Sequence, residues 1–296
     1  VQWLAHSSIR TIEEESMGQL DGKIALVTGA ARGQGRSHAV RLAEEGADII
    51  AIDICDQVGT VSYPMSTLDD LAQTQKLVED LGRKITTRQA DTRDLGQLRD
   101  AVTAGVKELG GLDIVCANAA IFCIDVDAQP EDPTRRARVW QDTIDTNLTG
   151  TWHTLEATVP ILIEQGRGGA IVITSSTAGL KGSTYNDLAL TAYTAAKHGL
   201  TGLMRGYAKD LAPHSIRVNT VHPTGVHTMM AENETLGARI QQDPDLLKVM
   251  ANALPVDAVD PVDISNGVLY LAADSGRYVT GVTLSIDAGF NVVAGG

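Results

Sequence analysis

Tyr193 and Lys197 are residues whose types and spacing suggest chemistry directly. They stand four apart in Thr191-Ala192-Tyr193-Thr194-Ala195-Ala196-Lys197, and on a helix that spacing puts both on one face. An ammonium beside a phenol stabilises the phenolate and draws the tyrosine pKa toward the working range. Such a pair is a competent acid/base for an alcohol or a carbonyl. The spacing alone is common, and two exposed helix residues would show it equally.

A second constellation is Thr28-Gly29-Ala30-Ala31-Arg32-Gly33-Gln34-Gly35, between an apolar run and a helical pattern. Gly29, Gly33 and Gly35 let the backbone turn sharply and let a pyrophosphate approach a helix N-terminus. Asp53 closes the next apolar run. A carboxylate there accepts hydrogen bonds from a ribose diol and repels a 2′-phosphate, which predicts NAD over NADP. Arg32 points the other way, since a basic residue beside the turn could hold a phosphate. Asp53 is expected to dominate, because it occupies the ribose edge directly. Asp91-Thr92, after a third apolar run, reads as a helix N-cap.

These residues need elements to position them. Short runs rich in Val and Ile alternate with helical patterns. Strands are expected at 24–28, 48–53, 84–90, 112–117, 169–174, 215–221 and 282–286. Helices are expected at 35–45, 68–81, 95–109, 135–164 and 189–211. Almost wholly apolar strands mark a parallel sheet covered on both faces. The alternation implies an α/β chain with a doubly wound Rossmann-type fold and seven parallel strands. One domain is expected over 17–296, with insertions near 55–67 and 228–255. Residues 1–16 precede Met17 and read as a tag, an over-long start or a disordered extension.

Composition narrows the classes. The 296 residues are 43% hydrophobic and 21% charged, ordinary for a globular chain. Lys and Arg number 24 against 37 Asp and Glu, a net charge of −13. That argues against nucleic acid and anionic membranes as partners. No apolar run reaches the length of a membrane span. Three cysteines without a CxxC pair point to a reducing, cytoplasmic setting. His153, His198, His214, His222 and His227 show no metal-ligand spacing, so no metal is expected.

Asn118-Ala119-Ala120, Asn147 and Ser175-Ser176 stand in order between the glycine turn and Tyr193/Lys197. The whole set resembles the short-chain dehydrogenase/reductase superfamily, from Leu20 to Phe290. The run from Gly29 to His38, with Tyr63-Pro64-Met65, resembles its carveol-dehydrogenase-like, mycofactocin-coupled branch. The resemblance implies Tyr193 as acid/base and Lys197 as the group that binds the nicotinamide ribose and lowers the Tyr193 pKa. It implies Ser176 as hydrogen-bond partner of the substrate oxygen, and Asn147 as holder of a water that relays protons to Lys197. Ser176 is preferred over Ser175 because Ser176-Thr177-Ala178-Gly179 matches a Ser-x-x-Gly turn, and neighbouring strand residues face opposite sides. Gly29, Arg32, Gly33, Gln34, Gly35, Asp53, Asp91, Thr92, Asn118, Ala119, Pro223, Val226 and Thr228 are the expected cofactor contacts. Asp91-Thr92 would lie beside adenine, and Pro223, Val226 and Thr228 at the nicotinamide end. Two departures stand out. Ala117-Asn118-Ala119-Ala120 replaces Asn-Asn-Ala-Gly, and Pro223-Thr224-Gly225 replaces Pro-Gly.

The expected activity is NAD-dependent interconversion of a small apolar secondary alcohol and its ketone. A carveol-like terpene alcohol is implied by resemblance alone. The branch further implies tightly held NAD that serves a small redox carrier, with residues 58–66 as a clamp. The superfamily is commonly dimeric or tetrameric, so the resemblance implies a homotetramer. The rival reading is a non-catalytic NAD-binding sensor or scaffold, which has no need of the set Asn147, Ser176, Tyr193 and Lys197. Tyr185 lacks a lysine four residues on and reads as a pocket wall. His227 and Met229-Met230 lie beside the expected substrate loop.

Overall fold

The computed structural model describes residues 18–124, 132–182 and 188–293. Seven strands form one parallel sheet: β1 (Ile24–Thr28), β2 (Asp48–Asp53), β3 (Ile85–Gln89), β4 (Ile114–Ala117), β5 (Gly169–Thr174), β6 (Ile216–Pro223) and β7 (Thr283–Ile286). Their spatial order is β3-β2-β1-β4-β5-β6-β7. The order reverses between β1 and β4, and in such sheets ligands bind at the carboxyl ends of the strands beside that switch.

Register explains why the strands read as continuous apolar runs. Ile50, Leu26, Val115, Ile171 and Val218 align as one row across five strands. That row packs with Leu98 and Val102 of α3 (Leu95–Leu109), Leu155 and Leu162 of α5 (Gly150–Gln165), and Leu200 and Met204 of α6 (Leu188–Leu211). The alternate residues Ala25, Val27, Ala51, Cys116 and Val172 face the other side. There they meet Leu42 of α1 (Gly33–Glu44), Val78 of α2 (Leu68–Asp80) and Ile264 and Val268 of α9 (Pro261–Ala272). Both sheet faces are covered, and each fully buried Leu or Ile contributes about 1.5–3 kcal/mol.

The helix expected over 135–164 is interrupted. It consists of α4 (Pro133–Ile144), a π-helical turn Asp145–Thr149, and α5. The interruption coincides with Asn147, whose side chain bonds the backbone of Ile121 outside the helix. Two short helices, α7 (Glu234–Gln242) and α8 (Asp245–Val249), lie within 228–255. No helix was expected at α9, although Asp260 and Asp263 form a capping box around Pro261.

Residues 54–66 carry no regular element, yet Val58, Val61 and Tyr63 are buried with Ile121, Cys123 and Val139 in a separate apolar cluster. Gln57 organises the segment, donating to Val61 O at 2.9 Å and accepting from Met65 N at 3.0 Å. Residues 1–17 and Tyr185 lie outside the described residues.

Candidate active site

A cleft of about 300 Å³ opens at the carboxyl ends of β1, β2, β4 and β5. It is lined by Gly29, Arg32, Gly33, Gln34, Gly35, Asp53, Asp91, Thr92, Asn118, Ala119, Tyr193, Lys197 and Thr228, among others. An adjoining cavity of about 220 Å³ is lined by Phe122, Ile124, Leu190, Val226, Leu236 and Phe290, with Ser176, Tyr193 and Pro223. Gln34, Ser175, Tyr193, Thr228 and Met230 belong to both. The two spaces therefore meet at Tyr193.

The glycine turn is tight by necessity. Gly29 has φ +68°, and a Cβ there would fall 2.9 Å from Ala119 Cα. A Cβ at Gly35 would fall 1.9 Å from the Gly29 carbonyl oxygen. The turn delivers the chain into α1, which has neither a side-chain cap nor an acidic residue in its first turn. Free N–H groups at such a terminus suit an anion. The turn is held by Thr28, whose hydroxyl accepts from Asn118 N at 3.0 Å and Ala119 N at 3.2 Å.

Asp53 is 5% exposed. Its Oδ1 accepts from Cys55 N at 3.0 Å and Ser66 Oγ at 2.6 Å, and its Oδ2 from Ala31 N at 2.9 Å. A carboxylate offers four acceptor positions, so one on Oδ2 remains. Arg32 is tied to the Pro64 carbonyl at 2.6 Å. Arg36 is tied to Ala31 O, Thr74 and Asp70.

The expected N-cap at Asp91-Thr92 is corrected. Asp94 caps α3, accepting from Gly96 N and Gln97 N. Asp91 instead grips Arg93, with Nη2 at 2.6 Å and Nε at 2.9 Å from Oδ2. Asn147 is held from both sides. It lines neither space, and both ends of its amide bind Ile121, at 2.8 and 2.9 Å. Its carbonyl accepts from Thr151 Oγ1 at 2.9 Å. These bonds position the chain leaving β4.

Lys197 is 2% exposed and donates to Thr174 O at 2.8 Å. Its Nζ lies 5.4 Å from the centroid of the Tyr193 ring. Burial lowers its pKa to about 7. Burial also pushes Tyr193 up to about 12, opposed by the hydroxyl of Ser176. The Lys197 amine thus addresses the Thr174 carbonyl and the face of the Tyr193 ring.

Ser175 and Ser176 both line the site, and the bond from Ser175 N to Val221 O carries the strand pairing one residue past Thr174. The two hydroxyls differ in use. Ser175 donates to Lys197 O at 3.0 Å, whereas Ser176 interacts with Tyr193. A Cβ at Gly179 would fall 2.7 Å from Lys197 O, so that glycine admits the close approach of α6.

Pro223 and Val226 line the apolar cavity and not the larger cleft, while Thr228 lines both. The sequence reading missed Thr146 and Phe122 as lining residues. The ring of Phe122 packs on Tyr193 at 4.9 Å between centroids. Its proximity follows from the path after β4 and has no local signal. His227 lines the larger cleft and pairs with Glu232 at 2.5 Å. Among the described residues there is no cluster suited to a metal ion, and no helix is long and apolar enough to cross a membrane.

A family model described as enoyl-(acyl carrier protein) reductase matches residues 29–291. Oxidoreductase MT2820 of Mycobacterium tuberculosis is 54% identical over 92% of this chain and 97% of its own length. The (−)-trans-carveol dehydrogenase of Rhodococcus erythropolis is 46% identical over 92% of this chain and 99% of its own length. The crystal structure of carveol dehydrogenase from Mycobacterium avium in complex with NAD is 50% identical, with a TM-score of 0.85. It covers 93% of this chain and 100% of that one.

Proposed function

The chain belongs to the short-chain dehydrogenase/reductase superfamily and is an NAD-dependent oxidoreductase of secondary alcohols and ketones, and on that premise we propose that its substrate is a small, largely apolar cyclic alcohol of the carveol type. The observation that carries this reading is the meeting of two spaces at Tyr193, one built for a dinucleotide and one lined by apolar side chains.

The residues of the larger cleft fit NAD. The uncapped start of α1 and the glycine turn offer N–H groups to a pyrophosphate. The remaining acceptor position of Asp53 suits a ribose hydroxyl, and its charge disfavours a 2′-phosphate. Arg32 and Arg36 are both occupied by protein acceptors. When bound, the nicotinamide accepts or supplies the hydride.

The chain's own residues handle the proton and the geometry. Tyr193 exchanges the proton of the substrate hydroxyl. With burial holding it near 12, its phenol is protonated at neutral pH and ready to donate to a developing alkoxide. Ser176 offers a hydroxyl to the same substrate oxygen. Lys197 supplies the buried amine beside Tyr193 and lines the cleft that would hold the nicotinamide ribose. Asn147 holds the loop after β4 in place.

A second reading concerns residues 54–66. Val58, Tyr63, Met65 and Ser66 line the cofactor cleft. The segment is fastened by Ser66 to Asp53, Pro64 to Arg32, Thr60 to Asp142 and Ser62 to Ile124. Such fastening favours slow cofactor exchange, with electrons leaving to a separate small redox carrier of mycofactocin type. Assembly into a homotetramer rests on the superfamily resemblance, and the exposed Trp140, Trp152, Tyr278 and Val292 are surface that a second copy would cover. The free thiols Cys55, Cys116 and Cys123 support a cytoplasmic setting.

The test has two parts. Denaturing freshly purified protein and weighing the released small molecules by mass spectrometry reports whether NAD is retained. Turnover is then measured on cyclic alcohols and ketones, with free NAD and with an artificial two-electron acceptor. Retained NAD with turnover on the artificial acceptor is the expected result. Bound cofactor with no turnover on any alcohol or ketone would overturn the assignment, and many turnovers on free NAD would overturn the second reading.

A further inference from the structure

Regular pairing between β5 and β6 stops where the site begins. Its last backbone bond runs from Ser175 N to the Val221 carbonyl at 2.9 Å. The next donor in a parallel ladder would be residue 223, which is Pro223 and has no N–H. The chain after β5 therefore leaves the sheet and enters the turn Thr177–Gly179. The side chain of His222 spans this gap. Its Nδ1 lies 2.7 Å from the Ser176 carbonyl, and its Nε2 lies 2.8 Å from the Thr220 hydroxyl. A carbonyl can only accept, so Nδ1 carries the ring proton and Nε2 accepts from Thr220. The same carbonyl accepts from Gly179 N at 2.8 Å, so Ser176 is held from the strand side and from the turn side at once.

His222 is fully buried, at 0% exposure, and lines neither cavity. Burial holds its pKa down at about 4, against the opposing Ser176 carbonyl, so the neutral tautomer persists through the working range. An aliphatic side chain would fill this position at no cost in desolvated polar atoms. The imidazole is placed where a particular backbone carbonyl needs a donor.

We propose that His222 is a positioning residue for the reaction: its Nδ1–H fixes the Ser176 backbone and thereby aims the Ser176 hydroxyl at Tyr193 and the substrate oxygen. The inference rests on the assignment of Ser176 made above.

Four variants test it: His222→Leu, His222→Asn, Ser176→Ala and the double variant His222→Leu/Ser176→Ala. His222→Leu is expected to lower kcat on the order of ten- to a hundredfold, as sub-ångström misplacement of a reacting group does, while cofactor KM and the melting temperature stay near wild type. His222→Asn places an amide N–H where Nδ1–H stands and should recover most of the loss. In the Ser176→Ala background, His222→Leu should cost nothing further. Wild-type kcat in His222→Leu, or an equal loss in both backgrounds, would overturn the proposal. Should the Leu variant fail to fold, His222→Gln takes its place, since its donor lies one bond farther out. Equal kcat in the Asn and Gln variants would then overturn it. Wild-type kcat in Ser176→Ala alone would instead reject the parent assignment of Ser176.

Discussion

Replacing Thr60 with valine is a selective way to loosen the segment over the cofactor cleft. Thr60 Oγ1 donates to Asp142 Oδ2 at 2.7 Å, joining residues 54–66 to α4. Valine keeps the shape and the apolar contacts and removes the donor, together with the weak acceptor that Cys123 Sγ meets at 3.5 Å. A hydrogen bond to a charged group contributes about 1.5–3 kcal/mol when buried. The Asp142 side chain is 28% exposed and keeps Arg93 at 3.8 Å, so water can replace part of the lost bond. A loss of about 1–2 kcal/mol is the reasonable figure, which multiplies the open population about 5- to 30-fold. If opening of this segment limits release, the cofactor off-rate rises by that factor. The assay loads the protein with reduced cofactor, chases with a large excess of NAD, and follows the decay of bound-cofactor fluorescence. Melting temperature serves as the control for folding. An off-rate unchanged in Thr60→Val would refute the idea that residues 54–66 gate the cofactor.

Three further outcomes are expected. Tyr193→Phe should cost about a hundred- to ten-thousandfold in kcat, with cofactor affinity retained in a binding titration; near-normal turnover would remove Tyr193 from its role. Asp53→Asn should lower kcat/KM for NAD by about tenfold and narrow the preference over NADP, because the amide must turn a donor toward Ala31 N or Ser66; an unchanged ratio of the two cofactors would place the discrimination elsewhere. Lys197 has a native pKa lowered to about 7 from 10.5 by burial. Between those values the unfolded chain binds more protons than the native protein, so stability rises with pH across that window and is lowest below it. In cofactor-free protein, Lys197→Met should flatten the rise in melting temperature from pH 7 to 10; an equal slope in both proteins would contradict the burial argument.

Sheet membership was legible because it depends on local composition. Leu26, Ile50 and Ile171 sit in unbroken apolar runs that only a doubly covered strand explains. The glycine turn and Asp53 were legible because one βαβ unit holds them. Asp91 was misread, since Asp91 and Asp94 both offer a cap to the same helix and the competing Arg93 decides between them. The lining by Phe122 and Thr146 depends on how distant segments meet, and no spacing encodes that. The partner of Lys197 was not legible, because spacing places an ammonium on the same face as Tyr193 but says nothing of the carbonyl that it meets.

The residues that carry the chemistry stand where regular structure is interrupted, and each interruption is covered by one side chain. Beyond β1, the Thr28 hydroxyl accepts the N–H groups of Asn118 and Ala119 that no strand meets. Between α4 and α5, a π-helical turn frees Asn147 to serve the N–H and C=O of Ile121. Beyond β5, Pro223 withholds a donor and His222 supplies one to Ser176. A buried backbone group left unmatched at either of the first two points would cost about 1–3 kcal/mol; at the third, Gly179 N still serves the Ser176 carbonyl, so His222 governs its placement. Each break also turns backbone away from the sheet and toward the cleft. The strands could not present Ser176, or the glycine turn, while fully paired. Thr28, Asn147 and His222 are thus the conditions under which a stable parallel sheet can carry an open, polar edge beside Tyr193.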